Sequence, residues 1–365
     1  MEEIDDTGCP EAIRNYVRND PHFELTGYIR RGFNGEVYFA KRKKLGDEVV
    51  LKFYESIEGY DSSEEAVILK GIDNPNILKI YDLRFVAPRY AFFLSPRISG
   101  GDLQKHIELA PFSSKESLKI VAQILNGVTE LHSGHNLVHR DLKPGNILAD
   151  LGNKNAIIAD LGAIKKIDEA TGFVTASKAT RMYLPPEAII NNKYYFQSDL
   201  YQVGLIMFQL LNGFFPVSDE IKWLTAKEKT EIENIRNSIE RGLKFDAIID
   251  KKICKSTLAD VSTLPKYLDD QFKRVLSKAL HKNYEQRFQS SSEFLKAVHT
   301  LERQFPDYED LNDFIRISHD SGREYQIYQK NKSYVIEKRS VGKIWRKYHG
   351  HKGDFKSVIA LARQS

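Results

Sequence analysis

The sequence predicts an α+β fold, in which strands come first, helices follow, and a small module of strands and one helix ends the chain. Three features of the sequence support this fold class. Alternating apolar residues, punctuated by glycine, predict strands over residues 23–30, 36–43, 48–54, 78–85 and 90–94. Amphipathic helical periodicity then begins at Ser114 and dominates up to residue 304. The end of the chain returns to alternation and predicts strands over 324–329, 333–339 and 343–348 and a helix over 355–363.

The composition is that of an ordinary globular protein. The chain has 365 residues, of which 41% are hydrophobic and 28% are charged. No apolar run approaches the roughly 18 residues that a membrane span requires, and the acidic first residues lack the features of a signal peptide. Cys9 and Cys254 are the only cysteines, which excludes a disulfide framework and a cysteine metal cluster. We therefore expect a cytoplasmic protein without a membrane span.

The charge is distributed unevenly. Residues 321–365 contain 11 Lys or Arg and 3 Asp or Glu, a balance of +8, whereas the whole chain carries +4, so the rest carries −4. The basic residues of this end alternate with aromatic residues such as Tyr334 and Trp345. Such a surface suits an anionic partner, nucleic acid among them. Aromatic residues that alternate along strands are, however, more often part of the core, and the positive face could simply dock on the acidic body.

The stretch 138–148, Val-His-Arg-Asp-Leu-Lys-Pro-Gly-Asn-Ile-Leu, carries most of the chemistry. The carboxylate of Asp141 can accept a proton from an attacking hydroxyl, and Lys143 can neutralise a transferring phosphoryl group. The amide oxygen of Asn146 can bind a metal ion. The stretch matches the complete H-R-D-L-x-x-x-N pattern and resembles the catalytic loop of the eukaryotic-like serine/threonine protein kinases.

Further kinase motifs occur in the order of the family. The turn over residues 29–37 resembles the glycine-rich loop, although Arg30 stands where the family has its first glycine. An apolar strand ends at Lys52, and Asp160-Leu161-Gly162 resembles the family's Asp-Phe-Gly with leucine in place of phenylalanine. The resemblance covers roughly residues 23–303 and implies a two-lobed fold, with a β-rich small lobe, a helical large lobe and ATP between them.

The resemblance implies an ATP site whose residues come from both lobes. In the family, glycine-loop amides and the strand lysine bind phosphates, a hinge carbonyl and amide bind adenine, and an acidic residue binds ribose. The corresponding residues here are Ile29, Gly32, Gly35, Val37, Lys52, Pro96, Ile98, Asp102 and Leu148. Asp102 could equally cap the helix that follows it. Asn146 and Asp160 are the implied ligands of Mg²⁺.

Lys52 needs a carboxylate partner to hold it in place. The helix predicted over 61–70 offers Glu65, which the register of the family favours, and Glu64 as the alternative. Either glutamate could instead belong to a capping box at the start of that helix.

The polar segment over 163–183 resembles the activation segment of the family. Its predicted regulatory hydroxyls are Thr171, Thr175, Ser177 and Thr180. A phosphate on this segment could pair with Arg140, which precedes Asp141. The resemblance further implies that Glu187 pairs with Arg287 and that Asp199 holds the main chain of the catalytic loop.

We therefore expect an ATP- and Mg²⁺-dependent enzyme that phosphorylates serine and threonine hydroxyls of protein substrates. Lys143 and Thr180 are the residues that favour this acceptor class over tyrosine. The expected parts of the chain are an N-terminal helical appendage (1–22), a small lobe with hinge (23–98), a large lobe (99–304), a linker (305–320) and a basic ββ(β)α module (321–365). Two alternatives stay open: a pseudokinase, for which Arg30 is the argument, and a kinase that regulates a partner- or nucleic-acid-binding tail.

Overall fold

The computed structural model describes residues 4–30, 35–55, 68–87, 90–150, 154–176, 180–215 and 224–364. Its first part is a helix followed by an antiparallel sheet in the order β1-β2-β3-β5-β4. These elements are α1 (Glu11–Asn19), β1 (Phe23–Arg30), β2 (Glu36–Arg42), β3 (Glu48–Glu55), β4 (Asp82–Ala87) and β5 (Tyr90–Pro96). In the part of the chain that is described, no helix combines the length and hydrophobicity needed to cross a bilayer.

One face of this sheet is covered by α1. Alternate residues of β3, Leu51 and Phe53, are completely buried with Phe92 of β5. Ile13 and Val17, four residues apart on α1, pack into the same cluster. The opposite face of β3, which carries Lys52, is therefore left to look into the cleft between the lobes.

The predicted strand over 78–85 starts later in the structure. Leu78 N donates to the carbonyl of Ile158 at 2.8 Å, so this residue is bonded to the large lobe rather than to the sheet. Pairing with β5 begins only near Asp82, which lies opposite Leu94. Alternation of apolar residues does not distinguish a segment that bonds to the large lobe from a strand that pairs with β5.

The second part of the chain is helical. Its helices are α2 (Leu103–Leu109), α3 (Ser114–Thr129), α4 (Pro186–Asn191), α5 (Phe196–Leu210), α6 (Ala226–Glu233), α7 (Ser238–Cys254), α8 (Asp270–Ala279) and α9 (Ser291–Gln304). A capping box of Ser113 and Glu116 starts α3, and a π-helical turn over Glu130–Gly134 ends it. At Gly127 a Cβ would lie 2.8 Å from the carbonyl oxygen of Asn76, so glycine lets α3 approach that turn closely.

Apolar residues at helical spacing, such as Ile232 and Ile239, predict one helical run over 225–243, whereas the structure has two helices, α6 and α7. Asn237 accepts hydrogen bonds from the amides of Ile239 and Glu240 and thereby starts a new helix. The apolar face predicted for the continuous helix is split as a result. Ile232 on α6 is buried, whereas Ile239 on α7 is exposed.

Short strand pairs position the loops between the helices. Their strands are β6 (Leu137–Val138), β7 (Ile147–Asp150), β8 (Asn155–Ile158), β9 (Lys165–Lys166), β10 (Val174–Thr175) and β11 (Lys193–Tyr194). β6 pairs with β9, β7 with β8, and β10 with β11, all antiparallel. The catalytic loop runs from β6 to β7, and Asp160 follows β8, so both are fixed at their ends.

The last part of the chain, described without a gap from residue 305 to 364, is an antiparallel five-stranded sheet with one helix. The sheet has the order β12-β13-β14-β15-β16. The elements are β12 (Asp307–Asp310), β13 (Ile315–Ser318), β14 (Arg323–Lys330), β15 (Ser333–Ser340), β16 (Arg346–Gly353) and α10 (Phe355–Arg363). The predicted linker over 305–320 thus contains two strands of four residues each, which are too short to be identified from alternation alone. The third predicted strand, over 343–348, begins later, at Arg346.

This C-terminal sheet packs on the large lobe. Tyr308 is buried against Tyr267 and Phe272. Ser114 Oγ and Lys115 N, at the start of α3, donate to Asp307 Oδ1 at 3.1 and 2.8 Å. The buried residues of the sheet, Ile317, Tyr325, Ile327 and Ile336, belong to the same hydrophobic cluster as the large lobe. Where the chain divides into independent domains stays a prediction.

Candidate active site

The polar side chains of the catalytic loop converge on Asp141. Lys143 Nζ and Asn146 Nδ2 each donate to Asp141 Oδ2 at 2.9 Å. Asn146 Nδ2 also donates to the main-chain carbonyl of Asp141 at 2.8 Å. Lys143 Nζ reaches further, to Thr180 Oγ1 at 2.6 Å. The structure therefore brings together the three residues that the sequence singled out, with Thr180 beside them; their catalytic roles stay predictions.

A buried carboxylate, Asp199 at the start of α5, holds the main chain of the loop. It accepts hydrogen bonds from the amides of His139 and Arg140 at 2.8 and 3.0 Å. It also accepts from Tyr194 Oη at 2.7 Å and from His132 Nε2 at 2.8 Å. Burial raises the pKa of Asp199, but the hydrogen bond and charge of His132 outweigh it and bring this pKa below its ordinary value. The predicted role of Asp199 beneath the loop is confirmed.

Gln202, one turn further along α5, is a positioning residue that sequence reasoning missed. Its Oε1 accepts from Leu142 N at 2.8 Å, inside the catalytic loop. Its Nε2 donates to the carbonyl of Tyr183 at 3.1 Å. One side chain thus joins the catalytic loop to the end of the activation segment. A glutamine within the apolar run after Asp199 was the available signal.

Lys52 and Asp160 form an ion pair across the cleft. Burial raises the pKa of Asp160, but the charge and hydrogen bond of Lys52 bring it below its ordinary value, so the carboxylate stays ionised at neutral pH. Asp160 has a left-handed backbone conformation, with φ of 59°. Such a conformation is strained for a residue with a side chain and is typical of functional sites.

Asn146 and Asp160 suit a hard cation. Ala159 N donates to the main-chain carbonyl of Asn146 at 2.8 Å, which places the two predicted ligands on directly bonded segments. Because the Asn146 amide group donates to Asp141, its amide oxygen is the atom that remains to face a cation. Mg²⁺ prefers such oxygen ligands and takes its other ligands from phosphates and water. The described residues contain no cluster of three or more His, Cys, Asp or Glu side chains that could hold a metal ion.

The predicted adenine-covering residues lie next to each other in the sheet. Ile29 and Val37 are opposite partners in the β1–β2 pair; Ile29 is exposed and Val37 is buried. Val50, two residues before Lys52 on β3, lies on the same face of the sheet as Lys52. Asp102 pairs with Leu148 in an isolated bridge, which connects the predicted hinge end to β7.

Two predicted nucleotide residues have a structural role as well. Asp102 Oδ1 accepts from Lys105 N at 3.2 Å and caps α2, which is the alternative role expected from the sequence. Gly35 has φ of +98°, and a Cβ there would lie 1.8 Å from the carbonyl oxygen of Phe53. Glycine is therefore required at this position by the approach of β3, whether or not a phosphate binds.

Several predicted residues cannot be placed. Gly32 of the turn, Glu65 and its alternative Glu64, and Ser177 lie outside the described residues. The bracing of Lys52 by Glu65 therefore stays a prediction.

The activation segment is held by Arg140. Its Nε donates to the carbonyl of Ala163 at 2.7 Å and its Nη1 to the carbonyl of Thr175 at 2.9 Å. Thr175 is exposed, and Thr171 Oγ1 donates to the carbonyl of Phe173 at 3.3 Å. The structure thus places the main chain of Thr175 at Arg140 and the hydroxyl of Thr180 at Lys143, and the regulatory roles of these threonines stay predictions.

The segment ends in a buried ion pair. Glu187 accepts from both terminal nitrogens of Arg287, each at 2.8 Å. The two side chains are 3% and 0% exposed. The predicted pairing of these two residues is confirmed.

A second tether of this segment was missed by sequence reasoning. Arg181, directly after Thr180, donates from Nη1 to both carboxylate oxygens of Asp250 at 2.7 Å. Its Nε lies 3.2 Å from Asp246 Oδ1. Both aspartates belong to α7, so this helix fixes the segment next to Thr180.

The sequence of residues 23–300, which contains these elements, matches the family model of the protein kinase domain. The chain belongs to the protein kinase family. The two-lobed fold expected from the motifs is thereby confirmed, with an additional antiparallel sheet after the kinase domain.

Known protein kinases resemble parts of this chain. Mitogen-activated protein kinase mpkC of Neosartorya fischeri is 32% identical over 205 residues, which cover 55% of this chain and 50% of that protein. The probable serine/threonine-protein kinase PknB of Lactococcus lactis is 28% identical over 249 residues, 66% of this chain and 39% of that protein. Myosin light chain kinase A of Dictyostelium discoideum is 31% identical over 202 residues, 53% of this chain and 68% of that protein. The chain thus spans about half the length of the first of these relatives and less of the second.

Proposed function

We propose that this kinase transfers the γ-phosphoryl group of ATP, with Mg²⁺, to serine and threonine hydroxyls of protein substrates. The observation that carries the proposal is the hydrogen-bonded group of Asp141, Lys143 and Asn146, which contains an acceptor for the hydroxyl proton, a cation and a metal-binding oxygen. Its main chain is fixed by Asp199. Phosphoryl transfer depends mostly on such positioning and on charge neutralisation.

The roles of the residues follow from their positions. Asp141 orients the acceptor hydroxyl and takes its proton as the new O–P bond forms, while the bond between the γ-phosphorus and the β–γ bridging oxygen breaks and ADP leaves. Lys143, bonded to Asp141, neutralises charge on the oxygens of the transferring group. Lys52 binds the α- and β-phosphate oxygens, and Asn146 and Asp160 hold the cation. When bound, ATP with Mg²⁺ would supply the phosphoryl group and a positive charge that neutralises the phosphates.

The acceptor class rests on the contact between Lys143 and Thr180. Lys143 Nζ and Thr180 Oγ1 are 2.6 Å apart, which holds the activation segment close to Asp141. A small aliphatic hydroxyl fits this confined arrangement better than the longer tyrosine side chain. The probable serine/threonine-protein kinase PknB of Lactococcus lactis, whose name specifies this activity, supports the same class.

Activation by phosphorylation, in cis or in trans, belongs to the same proposal. Arg140 already contacts the carbonyl of Thr175. A phosphate on Thr175, or on the nearby Thr171 or Ser177, would give this guanidinium a charged partner in place of a carbonyl and would stabilise the ordered segment. Mapping of phosphosites on active protein tests this, and an active form without phosphate on residues 163–180 would contradict it.

The decisive experiment compares phosphoryl transfer by the wild-type chain and by Asp141→Asn. With labelled ATP, Mg²⁺ and a generic basic protein, we expect transfer to serine and threonine by the wild type and a loss of roughly 10²- to 10⁴-fold in the variant. Asp270→Asn, which changes an exposed aspartate at the start of α8, is the matched control and should retain activity.

Two outcomes would contradict the proposal. Equal transfer by Asp141→Asn would exclude Asp141 from the chemistry. Nucleotide binding without transfer by the wild type, under conditions in which its activation segment is phosphorylated, would indicate the pseudokinase instead.

A further inference from the structure

The hairpin between β15 and β16 forms a concentrated basic surface. We use the name basic hairpin for residues 338–347, in which five of ten residues are Lys or Arg and none is acidic. Lys343 N donates to the carbonyl of Ser340 at 2.9 Å and closes the turn, with Gly342 at φ of 77°. All its residues except Arg339 and Trp345 are exposed.

Two aliphatic side chains project from the tip of the basic hairpin. Val341 is 65% exposed and Ile344 is 74% exposed. They flank the turn glycine and stand beside Lys343. Exposed apolar groups inside a ring of cations are typical of surfaces that enter the interface of an anionic membrane.

The aromatic residue of the basic hairpin, Trp345, and the neighbouring Tyr348 each have a cation over the ring. The guanidinium of Arg339 lies 4.3 Å above the ring of Trp345. Lys338 Nζ lies 4.4 Å from the ring centre of Tyr348, which also forms an edge-to-face pair with Tyr325. Single-stranded nucleic acid binds by stacking bases on open aromatic faces. The groups that this surface leaves open are aliphatic, which favours a lipid partner over a nucleic acid.

The hairpin is held rigidly on the kinase. Arg339 Nε lies 2.5 Å from Glu324 Oε2, and Val341 N donates to the carbonyl of Gly322 at 3.0 Å. The adjacent turn is bound to the large lobe through Asp320 and Lys115, 2.5 Å apart. The tip is therefore presented in one orientation, and little ordering is needed when it binds.

We propose that the basic hairpin docks the kinase on the surface of a membrane that contains anionic phospholipids. Val341 and Ile344 enter the headgroup region, and Lys343, Arg346 and Lys347 contact lipid phosphates. Charge complementarity selects the partner, since each basic residue near such a surface strengthens binding about fivefold. This binding does not depend on phosphoryl transfer.

The test is sedimentation of the full chain with vesicles. We expect binding to vesicles of phosphatidylcholine with about 30% phosphatidylserine, and little binding to phosphatidylcholine alone. The double variant Lys343→Gln/Lys347→Gln should bind about 25-fold more weakly, from the fivefold effect of each charge. Val341→Ser/Ile344→Ser should weaken binding while the dependence on salt is retained, because it removes insertion and leaves the charge.

Lys330→Gln/Lys332→Gln is the matched control. It removes the same charge from the opposite end of β14 and β15 and should leave vesicle binding within about twofold of wild type, since charge acts within a Debye length. If this control binds vesicles as weakly as Lys343→Gln/Lys347→Gln, the effect is one of net charge alone, and the proposal is overturned. All variants change exposed residues, and their thermal melting confirms that they are folded.

A competing outcome is binding to nucleic acid. Fluorescence anisotropy with a labelled single-stranded oligonucleotide is measured in the same buffer. Hairpin-dependent binding to the oligonucleotide without binding to anionic vesicles would overturn the lipid assignment. Absence of binding to anionic vesicles at low salt would overturn it as well.

Discussion

The buried pair of Glu187 and Arg287 allows a stability prediction with a worked magnitude. Arg287→Met removes a guanidinium that is 0% exposed and leaves Glu187, 3% exposed, without its two bonds of 2.8 Å. The same change removes the bond of 2.6 Å from Arg287 Nε to the carbonyl of His281. Breaking a buried pair by removing one partner costs about 3–5 kcal/mol. We expect the free energy of unfolding to fall by about this amount.

Equilibrium unfolding in urea, followed by far-UV circular dichroism, measures the change. Lys278→Met is the matched control, because Lys278 and Glu293 are 2.6 Å apart but each is 42% exposed. That exposed pair should cost only about 0–1 kcal/mol. The two substitutions remove the same kind of contact, so they separate the effect of burial from the effect of the ion pair.

A double variant tests the physical reason. Glu187→Leu/Arg287→Met removes both buried charges, so its cost should lie well below the sum of the two single changes, by about 2 kcal/mol or more. If the cost of the double variant equals the sum of the two single costs, the destabilisation comes from lost packing rather than from an uncompensated buried charge. A loss below about 1 kcal/mol for Arg287→Met would refute the reasoning altogether.

Two further predictions concern the active site. Arg181→Asp places a third negative charge beside Asp246 and Asp250, so it should raise the KM for a protein acceptor about fivefold and leave the KM for ATP unchanged. Adding Asp250→Arg should restore the KM for the acceptor. Steady-state kinetics measure both constants, and an unchanged acceptor KM in Arg181→Asp would contradict the role of Arg181 as a tether. The pKa of Asp199 in the folded state lies below its ordinary value of 3.8. The ionised carboxylate therefore stabilises the fold above about pH 3.8, and this contribution is lost as the pH falls through the lower pKa of the folded state. The difference in urea midpoint between wild type and Asp199→Asn should therefore shrink below about pH 3.8, and a constant difference would contradict this.

The sequence was most informative where structure is local. The strand over 23–30 and the helices over 291–304 and 355–363 have the predicted bounds, because period and caps lie within the segment itself. The start of β4 and the two strands in 305–320 were not predicted. Leu78, ahead of β4, bonds to Ile158, which is distant in sequence, and β12 and β13 have only four residues each, too few to be identified from alternation alone.

The site shows the same division. Asp141, Lys143 and Asn146 lie within one short loop, so their spacing alone placed them together. Arg181 and Asp250 meet only because α7 packs beside the activation segment. No pattern around Arg181 indicates that helix. The pairing of Glu187 with Arg287, 100 residues apart, was predictable only through the family resemblance.

The shared core of the C-terminal sheet and the large lobe affects how the two behave on unfolding. The match to the kinase domain ends at residue 300, yet Tyr308 and Ala362 are buried in the same cluster as Phe272. Removal of residues 306–365 would uncover apolar surface of the large lobe, so loss of activity after truncation would not identify a role for the tail. The same continuity couples the two thermodynamically: a ligand that binds the folded tail stabilises the catalytic lobe by mass action, wherever on the tail it binds.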